Sequence, residues 1–167
     1  MLKIPRRNLG VRTFGNGLRI KTSTKLLVED TGGDVWRGAI ALSHYFPADG
    51  PDIIAGRKVL ELASGTGLLG LSLLLAECSP SLMVLTDKGN MVELIKSNLD
   101  TNADILPSER AAVAELDFFS ADFPTAVVDA APFDVIVVSD VKIFPRNEIL
   151  IYDISLKMVD FETVLMY

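Results

Sequence analysis

The sequence predicts an α/β domain, a parallel sheet with helices packed on both of its faces. Three observations carry that prediction. From Lys58 onward, short apolar β-prone segments alternate with segments patterned as helices, and such alternation gives parallel strands joined by right-handed crossovers. The stretch Lys58-Val-Leu-Glu-Leu-Ala-Ser-Gly-Thr-Gly67 runs from a buried strand through a glycine turn into an apolar helix. An acid, Asp87, ends the next strand, Leu82-Met-Val-Leu-Thr-Asp87.

The elements follow in order. Residues 11–29 carry β-prone side chains around Gly15-Asn16-Gly17, and Asn-Gly between such runs signals a hairpin. Thr31-Gly-Gly-Asp34 breaks the chain before a helix over 36–46, and 47–56, with two prolines and two glycines, reads as a loop. Strands then fall at 58–63, 82–86 and 111–116, with helices at 68–78 and 90–101. In the second of these helices, Met91, Val92, Leu94, Ile95 and Leu99 form a core-facing stripe. A loop over 117–132 precedes a strand at 133–139. Beyond Phe144, Pro145 breaks the chain, 147–157 suits a short helix, and 159–167 a fifth strand.

With 167 residues, 49% of them apolar, the chain is read as one domain with a core of its own. No apolar run reaches the roughly 18 residues of a membrane span, and no secretory signal pattern is visible. The single Cys78 leaves no internal disulfide, fits a reducing compartment, and at the end of an apolar helix reads as a buried, inert thiol. The formal charge is −6, yet residues 1–30 are net +5 and the remainder −11. An acidic body disfavours direct nucleic-acid binding and suits a basic protein substrate, while the basic head reads as a solvated terminus.

In open parallel sheets, ligands lie beyond the carboxyl ends of the strands. The residues there are 61–67, Asp87, Asp117-Phe118 and Ser139-Asp140. A glycine turn at a helix N-terminus lets a ligand approach bare backbone, and Asp87 is placed to accept both hydroxyls of a ribose. That is the pattern of a nucleoside-cofactor pocket. Gly65-Thr-Gly-Leu-Leu-Gly70 matches the dinucleotide fingerprint G-x-G-x-x-G, which admits NAD. Glu61 favours S-adenosylmethionine instead, because a carboxylate gains nothing beside a pyrophosphate but suits an ammonium and a sulfonium. Asp117 or its backbone would take an adenine amino group, and Phe118 would stack on the purine. Each also has a plain structural reading, as a strand-ending polar residue and a core aromatic. Asp140, after Val135-Ile-Val-Val138, should emerge beside the reacting centre.

At these residues the chain resembles the seven-strand lysine methyltransferases of the methyltransferase-like group. The matching elements are Gly33-Asp-Val-Trp-Arg-Gly-Ala39, Val59-Leu-Glu-Leu-Ala-Ser-Gly-Thr-Gly-Leu-Leu-Gly70, Leu85-Thr-Asp87, Asn98 with Asn102, Leu116-Asp-Phe118 and Ser139-Asp-Val141. The resemblance covers about residues 30–144. It implies the Rossmann-like class I methyltransferase fold, S-adenosylmethionine as cofactor, and a protein substrate bearing a target lysine. It also implies an intracellular monomer, in nucleus, cytoplasm or both. Residues 1–30 then form a basic segment and hairpin, and 31–167 a methyltransferase-like domain lacking the last strands of its sheet. Trp36 would line the methionine side of the pocket, although by itself it reads as a core anchor at a helix start. Glu61, Gly65, Thr66 and Gly67 would frame the pocket, Asp87 would hold the ribose, Asp117 and Phe118 would flank adenine, and Ser139 would stand at the cofactor's edge.

Two departures from the family pattern stand out. Its Asp-x-x-Tyr motif reads Asp140-Val-Lys-Ile143 here, with Phe144 one place late, and its usual Trp after the adenine acid is Phe118. Asp140 is the candidate catalytic residue, orienting the lysine amine or stabilising the adjacent cation; a usual aspartate pKa near 4 makes it a weak base. His44, beside Tyr45 and Phe46, reads as a partly buried structural residue, and no cluster has metal-ligand spacing. Two other functions compete. An NAD-dependent reductase needs Tyr-x-x-x-Lys, whereas Tyr152 and Lys157 are one residue further apart. A non-catalytic cofactor- or partner-binding module is the second.

Overall fold

The computed structural model describes residues 10–117, 123–141 and 164–166. In chain order they form β1 (Val11–Thr13), β2 (Arg19–Lys21), α1 (Thr24–Asp30), α2 (Arg37–Asp49), α3 (Pro51–Ile54), β3 (Lys58–Leu62), α4 (Leu68–Leu75), β4 (Leu82–Asp87), α5 (Gly89–Thr101), a 3-10 turn (Ser108–Arg110), β5 (Ala111–Glu115), α6 (Thr125–Ala130), β6 (Val135–Val138) and β7 (Val164–Met166).

Five strands pair in parallel in the order β5-β4-β3-β6-β7, the sheet that the alternation predicted. The chain steps outward from β3 to β5, then crosses back to lay β6 on the other side of β3. That reversal is the switch point at which open α/β sheets bind ligands. Strand side chains alternate between two layers. Val59, Met83, Leu85, Val135 and Val137 face the layer of α2, α4 and α5. Leu60, Leu62, Val84, Ile136 and Val138 face the layer that includes α6. Helix α4 is apolar all round and enclosed, with Leu68, Leu69, Leu71, Leu73 and Leu74 buried. Each such leucine contributes about 1.5–3 kcal/mol by leaving water.

Several elements differ from expectation. The second hairpin arm stops at Lys21, because the Ser23 hydroxyl accepts the Leu26 amide (3.3 Å) and starts α1. Helix α2 continues through Pro47 to Asp49, and α3 follows where a loop was expected. Pro47 falls near the helix end, where little of the ladder remains to be broken, and Pro51 opens α3, where its missing N–H costs nothing. Helix α4 ends at Leu75 rather than at 78, since Ala76 is extended, and Cys78 beyond it is half-buried. Within the expected loop 117–132, Pro124 leads into α6, which buries Val127 on the sheet. His44 is exposed, not partly buried, because Leu42 and Phe46 take the core face of α2. The expected fifth strand appears as β7; the helix over 147–157 lies outside the described residues, as do residues 1–9, Phe118, Ile143 and Phe144.

The hairpin turns where predicted, with Gly17 left-handed (φ 85°) and its amide bonded to the Phe14 carbonyl (2.9 Å). It docks on α5 through two asparagines. Asn98 accepts the Lys21 amide (2.7 Å) and donates to the Lys21 carbonyl (3.1 Å). Asn102 accepts the Arg19 amide (2.8 Å) and donates to the Arg19 carbonyl (2.7 Å). Four residues of helix rise about 6 Å and two of strand about 6.6 Å, so the pair reads one edge of β2 as a neighbouring strand would. Arg12, Arg19 and Lys21 of the basic head are accordingly tied into the fold. Arg19 reaches the Thr101 carbonyl (2.6 Å) and the Asp104 carboxylate, Lys21 reaches the Ser97 hydroxyl (2.8 Å), and Arg12 pairs with buried Asp34 (2.9 Å).

Asn102→Ala strips both Arg19 backbone groups of their partner, and unmade buried bonds cost about 1–3 kcal/mol each. Urea unfolding should show stability lower by about 2 kcal/mol or more with an unchanged slope; an unmoved midpoint would mean that the amide grip is dispensable.

Candidate functional site

The alternation of β3 points Val59 and Glu61 towards α4, and the chain then turns sharply at the strand end. Ala63 (φ 53°), Gly65 (φ 58°) and Gly67 (φ 78°) all adopt the left-handed conformation. For Ala63 this costs of order 1–2 kcal/mol. Three amides of the turn are pinned. The Ser64 amide donates to the Thr86 carbonyl (2.9 Å), the Gly65 amide to Asp87 Oδ2 (2.8 Å), and the Gly67 amide to the Ser64 carbonyl (2.7 Å). A side chain at Gly65 would meet the Gly32 carbonyl at 3.3 Å, so the loop before α2 lies directly against the turn. Among the described residues, the non-glycine residues with left-handed φ are Thr31, Ala63 and Asp140. All three border this edge, and strain of this kind collects at functional sites.

The acids at the edge have definite partners. Glu61, 2% exposed, accepts the Gly70 amide on Oε2 (3.1 Å), in the first turn of α4. Asp87 is half-buried and also accepts the Lys88 amide on Oδ1 (2.8 Å). Asp140 is exposed, and its Oδ2 accepts the Ala39 amide (3.1 Å) in the first turn of α2. Glu115 lies against Gly89, the first residue of α5. Burial raises the Glu61 pKa from 4.5 to about 8; the Asp87 charge adds to the shift, and hydrogen bonds from Ser64 and Gly70 oppose it.

The predicted residues therefore divide by position. Gly65, Thr66, Gly67 and Asp87 come together at the turn. Asp117, half-buried, sits next to Asp87, because the Leu116 amide donates to the Asp87 carbonyl (2.9 Å) and extends the ladder between β4 and β5. Ser139, half-buried, and Asp140 end β6 beside the start of α2. Trp36 caps that helix start at 40% exposure, its indole donating to the Thr31 carbonyl (3.0 Å), so it is no core anchor. Glu61 lies beneath the rim rather than on it. Phe118 is outside the described residues. His44 lines a separate cleft with Phe14, Asn16 and Ser72, on the flank of α2 and α4. Residues that the sequence reading left without a role include Ala63, Gly32 and Asn98; only Asn98 carries a signal, as a polar residue inside an apolar helix stripe.

An acid whose folded pKa lies above its unfolded one keeps its proton in the folded state, so stability falls as pH rises between the two values. For Glu61 that window runs from 4.5 to about 8. Glu61→Gln keeps an acceptor for the Gly70 amide but cannot ionise. Its thermal midpoint should gain on the wild type steadily from pH 5 to pH 8 and then level off; parallel curves would contradict the buried, protonated state.

The profile of the lysine methyltransferase family matches residues 15–163. Human protein-lysine N-methyltransferase EEF2KMT is 31% identical over 142 residues, covering 79% of this chain and 42% of that protein. Human methyltransferase-like protein 22 is 30% identical over 111 residues, covering 65% of this chain and 26% of that protein. The chain thus spans well under half the length of either relative. Coclaurine N-methyltransferase, solved bound to N-methylheliamine and SAH, matches with a TM-score of 0.57 at 18% identity, over 77% of this chain and 35% of that one. At such identity the likeness shows the fold, which is the class I methyltransferase sheet. By its match over residues 15–163, the chain belongs to the lysine methyltransferase family.

Proposed function

We propose that the chain carries the S-adenosylmethionine site of an enzyme that methylates a lysine side chain of a protein. The observation that carries this reading is the bare glycine turn held to Asp87, in a chain of this family. Asp87, half-buried at the end of β4, accepts the Gly65 amide on Oδ2 and the Lys88 amide on Oδ1. Its carboxylate is the group proposed to accept the ribose hydroxyls. Asp117 stands next along the edge for the adenine amino group, with Phe118 stacking on the purine. Gly65, Thr66 and Gly67 offer backbone to the rest of the nucleoside, with Ser139 at its edge, and exposed Trp36 walls the methionine end. The family now separates S-adenosylmethionine from NAD; Glu61, turned beneath α4, supports the turn and does not by itself choose the ligand.

Bound there, S-adenosylmethionine supplies a sulfonium-activated methyl group that an amine lone pair displaces from sulfur. The chain's own residues must deliver that amine uncharged and in line. Asp140 holds α2 with Oδ2 and keeps its other oxygen to orient the lysine nitrogen, acting as catalytic residue by placement rather than as a strong base. The proposed partner is a basic segment of a protein, which suits the acidic body, with neither nucleic acid nor membrane engaged. No described helix is long and apolar enough to cross a membrane. The proposed site of action is inside the cell, in nucleus, cytoplasm or both.

Calorimetric titration with S-adenosylhomocysteine, with NAD in parallel, tests the cofactor. Saturable binding should weaken by about tenfold or more in Asp87→Asn, which can hold Gly65 but accepts ribose hydroxyls poorly. NAD binding instead, or equal affinity of the variant, would contradict the reading. Transfer of tritiated methyl to a protein in extract then separates an enzyme from a cofactor-binding module.

A further inference from the structure

Asn98 stands where the hairpin, α5 and the glycine turn meet. Its side chain is fully buried and makes three bonds. Two go to the Lys21 amide and carbonyl on β2, and the third runs from Nδ2 to the Thr66 carbonyl (2.9 Å). An amide has two donor hydrogens and one acceptor oxygen, so one hydrogen serves the hairpin and the other the turn. Thr66 is the apex of that turn, 3% exposed, between two glycines in the left-handed conformation. The Gly65 and Gly67 amides have their own partners. The Thr66 carbonyl is held from α5, by a side chain whose remaining bonds are to the hairpin. Asn102, one helical turn on, grips β2 in the same way, but its spare hydrogen goes to the Asn98 carbonyl (2.7 Å) and not to the turn.

We propose that Asn98 is a positioning residue that fixes the glycine turn for cofactor and couples its geometry to the docked N-terminal hairpin. The proposal rests on the reading of that turn as the S-adenosylmethionine site. It follows that the Asn98–Lys21 contact, rather than the whole hairpin interface, and cofactor binding favour one another, and such coupling acts equally in both directions. Loss of the Asn98 donor leaves a buried carbonyl unpaired at the point where the ligand meets backbone, a state that buried polar groups avoid. Asn102 supplies a control within the same fold, since its loss loosens the hairpin and leaves the Thr66 bond in place.

The test is S-adenosylhomocysteine affinity of wild type, Asn98→Ala and Asn102→Ala, each at a temperature where all three are folded by circular dichroism. The expected result is a dissociation constant raised by at least about tenfold in Asn98→Ala and by less than about threefold in Asn102→Ala, tenfold being about 1.4 kcal/mol. Equal losses would overturn the proposal, since a merely structural role predicts them. Should Asn98→Ala fail to fold, hydrogen exchange of the wild type decides. Added S-adenosylhomocysteine should slow the Lys21 amide, which Asn98 holds, more than the Arg19 amide, which Asn102 holds; equal slowing overturns the coupling. Failure of the folded wild type to bind S-adenosylhomocysteine would overturn the cofactor reading and this inference with it.

Discussion

The site edge depends on one interaction, acidic side chains at the carboxyl ends of strands meeting the amino ends of helices. The N-cap residues of α2, α4 and α5 are Trp36, Gly67 and Lys88, and none makes a side-chain capping bond. Their first-turn amides need hydrogen-bond acceptors from elsewhere. Asp140 serves α2, Glu61 serves α4, and Glu115 lies against the start of α5. At each meeting point the helix carries a glycine. A side chain at Gly38, Gly70 or Gly89 would stand 2.5, 2.7 or 2.8 Å from the facing carboxylate oxygen. Glycine inside a first helical turn is otherwise a poor choice. Here it is what lets strand and helix close on one another.

These contacts also set what the acids can do. A carboxylate locked to a helix amide is placed before any ligand arrives, and preorganised groups need no rearrangement when charge develops near them. The same locking restricts reach. Glu61 is beneath α4, Asp140 shares its carboxylate with α2, and Asp87 is divided between the turn and Lys88. Asp87 is the acid best placed to meet a ligand, because it lies at the surface of the turn rather than under it.

Much of the fold was legible in the sequence, because β3 to β6 announce themselves by length and apolarity and α5 by its stripe. Helix α6 and the end of α2 were not, because Pro124 and Pro47 both read as breaks, although Pro124 leads into a helix that buries Val127 and Pro47 falls where little of the helix ladder remains. The acids of the site were legible as acids, but their helix partners were not. Asp140 and Ala39 are 101 positions apart, and only the crossover that returns β6 to β3 brings them together. Ala63 gives no hint of its left-handed backbone, since nothing in its side chain favours it. Asn98 and Asn102 were visible as a spacing of four on a helix, yet their use as a substitute strand edge requires the hairpin to be in place.

These acids belong to the helices first and to the ligand second. A crystal structure with S-adenosylhomocysteine bound tests this most directly. Glu61 should still hold the Gly70 amide and Asp140 the Ala39 amide, with Asp87 alone among the three accepting ribose hydroxyls. Glu61 swung out to the amino end of the ligand, with the Gly70 amide released, would contradict it.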